Sequence, residues 1–406
     1  MWPESSEIEQ PLRNGLTTGS CATACCVAAV RALLANKQPA SVEITLPRGE
    51  LVNLDIIDYQ VFEHGMRTST IKDAGDDPDA THGATLFVEL RLIAEPGIKF
   101  KAAEGVGTVT RDGLVLAIGE PAINPVPRKM MTGHLEHYAQ AYQYAGGFEV
   151  SVGIENGEKI ATNTMNSRLG IIGGLSILGT TGIVRPYSCA AYIASIHQGI
   201  DVARANNFTH LAASTGIASE HAIKAFYQMD EVSLIEMGDF VGAMMKYLRR
   251  EKVDAKTGNR IKKLSISAGF GKLTKLANGH LDLNSRQSSI DFQQLATIAG
   301  TLGASVELQQ QIIEANTTIQ VLNITQAAGL DIATVICTEA LKVAKSIVHE
   351  SIDVEVWAVD RKGLFVANSY QDKFDKVGNI ITVSARSNAD FNSGSNSGSN
   401  SSEAKQ

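Results

Sequence analysis

The sequence of 406 residues has few of the residue types that characterise several classes of protein. Aromatic residues make up only 6% and charged residues 19%, against 44% hydrophobic residues, a balance typical of a soluble globular protein and not of a disordered, fibrous or membrane chain. Basic residues are outnumbered, with 36 Lys and Arg against 43 Asp and Glu and a net charge of -7. Because binding to nucleic acid or to an anionic membrane needs a basic face, we expect neither partner.

Cysteine is also scarce. The five cysteines are an odd number and include Cys25 and Cys26 side by side, which argues against a secreted disulfide framework and favours a reducing compartment. The first ten residues lack the basic and apolar regions of a secretory signal. The longest uncharged run, at 169–184, is too short to span a bilayer comfortably and contains five glycines. We therefore expect a cytoplasmic protein.

Length and local composition indicate two domains and a tail. A chain of this length has room for two or three domains. We expect an α+β domain at 1–205 and an α/β domain at 206–385. The Ser/Asn/Gly repeats at 386–406 cannot bury enough apolar area to offset chain entropy, so we expect a disordered tail there.

The α+β domain is predicted from one small-residue helix and several short strands. Thr and Ser near Thr18 cap a helix rich in Ala and Leu that runs to about Asn36. Short β-type runs separated by Gly, Pro and Asp predict an antiparallel sheet. These runs lie at 42–46, 51–57, 84–90 and 114–118. A helix around 129–144, a strand at 148–154 and a helix around 190–206 complete the domain.

The rhythm then changes to strand, glycine turn, helix. Three such units begin with apolar strands at 209–214, 232–237 and 263–268, which predicts a parallel sheet covered on both faces in a Rossmann-like fold. Further helices are expected over 288–348, and later strands at 353–359 and 364–368.

Ligands of an open parallel sheet bind beyond the carboxyl ends of the strands. The residues predicted there are Ser214, Thr215, Gly216, Glu236, Gly238, Asp239, Gly269 and Gly271. Glu236 follows Gly216 by about twenty residues, the offset at which a carboxylate accepts hydrogen bonds from a ribose. This spacing favours a nucleoside-type ligand, but a complete G-x-G-x-x-G is missing. The alternative is that these glycines only form the turns between strands and helices. Gly271 and Lys272 do not complete a P-loop, because Ile266 occupies the place of its first glycine.

An acidic segment contains Asp73, Asp76, Asp77 and Asp79 around Pro78. Close carboxylates raise one another's pKa and can hold a hard cation, so proton transfer and cation binding are both open. The alternative is an Asp-Pro turn whose side chains cap local amides.

The glycine-rich stretch at 166–185 has Arg168 and Arg185 at its borders. Its glycines either let a backbone approach a bulky ligand or serve tight packing, and the arginines can grip carboxylates. Lys272 either neutralises a carboxylated ligand or is a solvated charge. The cysteines and histidines show no metal-ligand spacing and no catalytic triad, so we expect no metal site.

Five stretches in this order together resemble one family. They read LRNGLTTGSCATA, KDAGDDPDATHGA, NSRLGIIGGLSILGTTGIVRPYS, IEMGDFVG and GFGKLTKLANGH. The chain resembles the CbiD family of cobalt-precorrin-5B C-methyltransferases over roughly residues 10–385. The resemblance implies that S-adenosylmethionine methylates ring carbon 1 of cobalt-precorrin-5B to give cobalt-precorrin-6A, in the anaerobic branch of cobalamin (vitamin B12) biosynthesis. Cobalt then enters only as part of the substrate.

With this family in view, the residues take expected roles. The donor lies against the three turns at the strand ends, with Glu236 on the ribose. Asp73, Asp76 and Asp77 orient the donor's ammonium or manage a ring proton. We call the residues expected to bind the carboxylates of the macrocycle the candidate grips. They are Thr17, Thr18, Arg168, Thr180, Thr181, Arg185 and Lys272.

Two other functions compete with methyl transfer. A corrinoid carrier or scaffold without chemistry would keep the basic grips but would not need the ribose carboxylate. A nicotinamide-dependent reductase of the same ring would want the G-x-G-x-x-G turn that this chain lacks. The sequence leaves a homo-oligomer open.

Overall fold

The computed structural model describes residues 11–250, 252–374 and 380–382. The chain divides into two compact units, 1–190 and 191–406. The sequence instead places the domain boundary after residue 205, at the end of the helix Cys189–Ala205, most of which the structure assigns to the second unit. The predicted tail at 386–406 and the end of the predicted second domain lie outside the described residues.

The first unit combines three helices and eleven strands within its described residues. The helices are α1 Thr18–Ala35, α2 Pro125–Ala141 and α3 Gly157–Ala161. The strands are β1 Gly15–Leu16, β2 Ser41–Thr45, β3 Leu51–Asp55, β4 Asp58–Phe62, β5 Gly65–Ile71, β6 Thr85–Ile93, β7 Ile98–Ala102, β8 Thr108–Val109, β9 Gly147–Ile154, β10 Ile171–Ile172 and β11 Ile183–Val184.

Helix α1 forms the centre of this unit, and its prediction is confirmed. The side chain of Thr17 accepts a hydrogen bond from the backbone N–H of Ser20, and Asn36 ends the helix in the left-handed conformation. Small residues along α1 let it pack closely on α2, β5 and β6. By length and composition α1 is also long and apolar enough to cross a membrane, but 78% of it is buried inside the protein. A core helix explains that composition.

The main sheet of the first unit has the order β4-β5-β6-β9-β7 and is antiparallel except for the parallel pair β7–β9. The strand predicted at 114–118 is wrong, because this segment forms turns. Gly113 and Gly119 bound it at φ +100° and +88°, and Val115 is 82% exposed. The segment therefore has no partner strand, although Leu116 is buried in a small apolar cluster with Val109 and Ile171. Its apolar residues are explained by that packing and not by a strand.

The second unit begins with α4 Cys189–Ala205, whose first residues precede the boundary. Its further helices are α5 Ile217–Tyr227, α6 Val241–Tyr247, α7 Phe270–Ala277, α8 Phe292–Thr301, α9 Val306–Ile313, α10 Thr318–Ala327 and α11 Ile332–Ile347, and a 3-10 turn covers Glu231–Ser233. The strands are β12 His210–Ser214, β13 Leu234–Glu236, β14 Lys263–Gly269, β15 Asp353–Val359, β16 Phe365–Asn368, β17 Lys373–Phe374 and β18 Ile380–Thr382.

The sheet of the second unit has the order β13-β12-β14-β15-β16. The first four strands are parallel, as the βα rhythm predicts, whereas β16 pairs antiparallel with β15 after a short turn. The central strands are buried along nearly their whole length, which explains their continuous apolar runs. The fold is thus mixed α/β with a mixed sheet in each unit.

Candidate functional site

The three predicted turns of the second unit lie at one edge of its sheet. Ser214 pairs in register with Glu236 on one side and with Ser267 on the other, and β14 ends two residues later at Gly269. The backbone N–H of Met237 donates to the carbonyl of Ser214 at 2.9 Å. We call the set Ser214–Gly216, Glu236–Asp239 and Gly269–Gly271 the carboxyl edge.

Two glycines of the carboxyl edge border open space. Gly216 and Gly269 are the N-caps of α5 and α7, and no described side chain caps either helix. Apart from the glycine itself and its two neighbours along the chain, a Cβ built on Gly216 or Gly269 would meet no heavy atom of the described residues within 4 Å. The N–H groups of the first turns of α5 and α7 therefore border space in which a polar ligand can bind.

Charged groups of the carboxyl edge differ in their pairing. The exposed carboxylate of Glu236 makes no hydrogen bond or ion pair among the described residues. Asp239 forms an ion pair with Lys272, which also donates to the carbonyl of Leu283 at 3.0 Å. Lys272, a predicted substrate grip, is therefore already bound within the second unit. The buried carboxylate of Glu220 accepts a hydrogen bond from Ser214 Oγ at 3.4 Å.

Gly271 serves packing in α7. A Cβ on this residue would lie 2.7 Å from Thr318 Oγ1, at the start of α10. The glycine lets α7 and α10 approach closely. This packing accounts for a glycine at position 271 without any contact to a ligand.

Tyr192 of α4 is a residue of this site that the sequence analysis missed. Its hydroxyl oxygen lies 3.1 Å from the place of a Cβ on Gly238, which has φ +53°, and its ring packs on Phe240 with centroids 5.4 Å apart. Burial, together with the nearby carboxylates of Glu236 and Asp239, raises the pKa of Tyr192 to about 12. No spacing in the sequence marks this one tyrosine of nine, because α4 comes to the carboxyl edge only in the folded unit.

The predicted threonine grips of the first unit surround the start of α1. Thr18 Oγ1 accepts a hydrogen bond from the N–H of Leu178 at 2.8 Å, while the N–H of Gly19 donates to the Leu178 carbonyl at 2.9 Å. Thr17, as the N-cap, holds the N–H of Ser20. These bonds tie α1 to the glycine-rich stretch and occupy N–H donors that an anion would use. Thr180 is exposed and Thr181 half-buried, so both can be reached by solvent.

Asp73 and Asp76 both bind the chain just before β1. Asp73 forms a two-bonded ion pair with the Arg13 guanidinium, and Asp76 accepts from the Arg13 N–H at 2.6 Å. The hydrogen bonds from Arg13 and from the Gly75 N–H lower the pKa of Asp73 to about 2. Asp73 is therefore ionised at neutral pH, which does not suit a proton donor.

The other two carboxylates also have structural partners. Asp77 accepts from the N–H of Tyr187 at 2.8 Å. Asp79 accepts from the buried Nζ of Lys72 at 2.6 Å and from Thr81. Burial raises the pKa of Asp79, but the Lys72 ammonium and the Thr81 hydrogen bonds outweigh it and hold the pKa below its usual value. The turn interpretation of the acidic segment thus accounts for most of its contacts.

Most glycines of the glycine-rich stretch pack against other parts of the protein. A Cβ on Gly174 would lie 2.2 Å from the Gly105 carbonyl oxygen, and one on Gly179 would lie 2.2 Å from Thr17 Oγ1. Gly173 instead borders open space. At the two ends of the stretch, Arg168 is half-buried and Arg185 is exposed. Packing therefore explains most of the glycine, and the arginines remain accessible candidates.

A small cavity lies at the opposite edge of the second unit's sheet. It is about 10 Å³, room for about one water, and is lined in part by Arg204, Ile261 and Ile352. It does not coincide with the carboxyl edge. Among the residues that the structure describes, no group of three His, Cys, Asp or Glu is placed to hold a metal ion.

Comparisons with known proteins decide the family. The chain matches the family described as CbiD over residues 5–186 and the family described as CbiD, C-terminal domain, over residues 282–370. It is 62% identical over 91% of its length to a protein of Marinomonas sp. (strain MWYL1), covering 97% of that protein. The chain belongs to the CbiD family. The Marinomonas CbiD relative is named cobalt-precorrin-5B C(1)-methyltransferase.

A second relative agrees with this assignment. A protein of Burkholderia thailandensis with the same name is 56% identical over 90% of this chain and 99% of its own length. A crystal structure of the cobalamin biosynthesis protein CbiD from Archaeoglobus fulgidus is 23% identical, covers 68% of this chain and 83% of that one, and has a TM-score of 0.36. The two CbiD family matches leave residues 187–281 between them, which include the whole carboxyl edge.

Proposed function

We propose that this CbiD family member is a C-methyltransferase that uses S-adenosylmethionine to methylate ring carbon 1 of cobalt-precorrin-5B, giving cobalt-precorrin-6A in anaerobic cobalamin biosynthesis. The observation that carries the proposal is the high identity, over nine-tenths of the chain, to relatives named for this reaction. We further propose a cytoplasmic location.

The donor site of this proposal is the carboxyl edge, within a Rossmann-like second unit. Four parallel strands alternate with helices, and ligands of such sheets bind beyond the carboxyl ends of the strands. The open space beside Gly216 and Gly269 supports placing the donor's nucleoside against the first turns of α5 and α7. The unpaired carboxylate of Glu236 is suited to accept hydrogen bonds from the ribose hydroxyls.

The donor supplies a methyl group already activated on a positive sulfur. The protein therefore needs no nucleophilic side chain; it has to orient the reactants in line and exclude water. Orientation of this kind lowers a barrier by roughly 7 to 11 kcal/mol. In the second unit, the helix N–H groups at Gly216 and Gly269 and the carboxylate of Glu236 are the groups that would fix the donor.

The substrate grips that we propose are the accessible side chains of the first unit. Arg168, Thr180, Thr181 and Arg185 are exposed or half-buried, and arginine binds carboxylates through two parallel hydrogen bonds. Thr17 and Thr18 act through the backbone that they hold in place. Lys272, which is paired with Asp239, positions the carboxyl edge rather than the macrocycle.

The role of the three aspartates also remains a proposal. Because Asp73 and Asp76 hold Arg13, and Asp77 holds the N–H of Tyr187, we propose that they position the loops around α1. Orientation of the donor's ammonium or handling of a ring proton is the second role that we propose for them. Asp77→Asn tests the distinction, since a positioning role predicts lowered thermal stability together with lowered activity.

Calorimetric titration with S-adenosylmethionine tests the donor site. We expect Glu236→Ala to weaken donor binding about tenfold or more, because a charged acceptor of hydrogen bonds contributes about 1.5 to 3 kcal/mol. Glu63→Ala is the matched control, since the Glu63 side chain is 91% exposed and lies in the first unit. Equal affinities of the wild type and Glu236→Ala for S-adenosylmethionine would contradict the proposed contact between Glu236 and the ribose.

Mass spectrometry of the corrinoid after incubation with isotope-labelled donor tests the reaction itself. The proposal expects one labelled methyl group on the product. A carrier would bind the corrinoid without taking up label. A nicotinamide-dependent reductase would instead change the absorbance of the reduced nicotinamide.

A further inference from the structure

We propose that Tyr192 recognises the positive charge of the methyl donor, with its ring against the sulfonium, so that the carboxyl edge binds the donor more tightly than its demethylated product. This inference rests on the proposed function, which places the donor at the carboxyl edge. It adds Tyr192, which lies outside the three turns, to the donor site. It also gives a reason why the demethylated product is released.

The first support is the position of Tyr192. Gly238 lies two residues after the carboxylate of Glu236, and the Tyr192 hydroxyl oxygen is 3.1 Å from the place of a Cβ on Gly238. Glu236 in turn is paired in register with Ser214 on the neighbouring strand. The ring of Tyr192 is therefore next to the end of β13, where we place the donor's ribose. It is half-buried, so part of its surface remains accessible.

The second support is the electrostatic character of this place. Glu236 has no cationic partner among the described residues, whereas Asp239 forms an ion pair with Lys272 and also lies near enough to Lys275 to interact with its charge. Phe240 packs on Tyr192 and fixes the orientation of the ring. Burial, together with the nearby carboxylates, raises the pKa of Tyr192 above its ordinary value, so the phenol is protonated at neutral pH and the ring offers a neutral, electron-rich face. A cation over such a face is attracted by the ring quadrupole, and a neutral group gains much less.

The reaction removes the charge that this arrangement favours. When the carbon–sulfur bond breaks, its electron pair stays on sulfur and the methyl group bonds to the ring carbon through an electron pair of the macrocycle. The sulfonium becomes a neutral thioether, while the adenosine and amino-acid parts are unchanged. Loss of the attraction to the Tyr192 ring therefore weakens binding of the product selectively.

Calorimetry with the full-length protein and two ligands tests this inference. The ligands are S-adenosylmethionine and S-adenosylhomocysteine, which differ by the methyl group and its charge. For Tyr192→Leu we expect the dissociation constant of the donor to rise about tenfold, while that of the product changes less than about twofold. Tyr192→Phe keeps a ring and should retain most of the preference. Tyr142→Leu, at an exposed tyrosine of the first unit, is the matched control and should change neither constant.

The outcomes separate this inference from the proposed function. If Tyr192→Leu weakens the binding of both ligands equally, Tyr192 stacks on adenine. The inference about charge is then overturned, while the donor site stands. If it weakens neither, the inference is also overturned. If the wild type binds neither ligand, the placement of the donor itself fails, and the inference fails with it. Unchanged affinity for the product shows that the variant has folded.

Discussion

At the scale of single residues, partners decide what a carboxylate can do. Asp73 and Glu236 are both exposed acids in segments that the sequence analysis selected. Asp73 is held by Arg13 and the Gly75 N–H, whereas Glu236 has no partner among the described residues. The first is therefore suited to fastening a loop, and the second to binding a ligand.

The Asp73–Arg13 pair leads to a prediction about pH. The pKa of Asp73 is about 2 in the folded protein, below its ordinary value of 3.8, so its ionised form stabilises the fold above about pH 4. That contribution disappears as the pH falls from about 4 to 2. Because the Asp73 side chain is 54% exposed, solvent screening limits the effect, and we expect Asp73→Asn to cost at most about 1 kcal/mol at pH 7.

Urea unfolding of the wild type and Asp73→Asn across this pH range measures the effect. The difference in unfolding free energy between the two should shrink as the pH falls below about 4. A difference that is independent of pH would show that the ion pair is not its source.

At the scale of elements, the sheet of the second unit contains a buried carboxylate that the hydrophobic pattern of its strands does not predict. Glu355 of β15 is 0% exposed and accepts hydrogen bonds from Tyr227 at 2.7 Å and Trp357 at 2.8 Å. Lys263 Nζ of β14 lies 3.2 Å from its Oε2. Burial raises the pKa of Glu355, but Lys263 and the hydrogen-bond donors outweigh it and lower the pKa below the usual value.

We expect Lys263→Met to destabilise the second unit by about 3 to 5 kcal/mol, because it leaves a buried charge without its counter-ion. Lys342→Met is the matched control. Lys342 pairs with Glu339 on the surface of α11 at 2.7 Å, and such exposed pairs contribute about 0 to 1 kcal/mol. Thermal and urea unfolding measure both variants. Equal costs for the two would contradict a stabilising role of the buried pair.

At the scale of the whole molecule, the two units carry different parts of the proposed function. The first contains the accessible arginines and the loops tied to α1, and the second contains the carboxyl edge. The net charge of -7 does not describe either site, since local pairing decides which charges are available. The family matches at 5–186 and 282–370 cover most of the first unit and the later helices of the second, but not the carboxyl edge.

Ligand-dependent stability tests the donor site in the intact chain. A ligand that binds only the folded protein stabilises it by about 2.7 kcal/mol at a hundredfold excess over its dissociation constant. We therefore expect S-adenosylmethionine to raise the melting temperature of the wild type and to raise that of Glu236→Ala clearly less at the same concentration. Differential scanning fluorimetry measures both shifts. The same shift in the two proteins would contradict the role of Glu236.

The sequence alone determined those features that depend on local order along the chain. The cap at Thr17 and the small residues after it predict α1, and the βα rhythm predicts parallel β12, β13 and β14, because capping and periodicity act over a few residues. It also determined that the turns at Ser214 and Glu236 follow strand ends.

Only the tertiary structure decided which groups meet across long separations. It placed Tyr192 beside Gly238, turned Lys272 toward Asp239 and fastened Asp73 to Arg13. It also left 114–118 without a partner strand and made β16 antiparallel. The physical reason is that strand pairing, burial and charge pairing depend on distance in space, which a local pattern of residues does not contain.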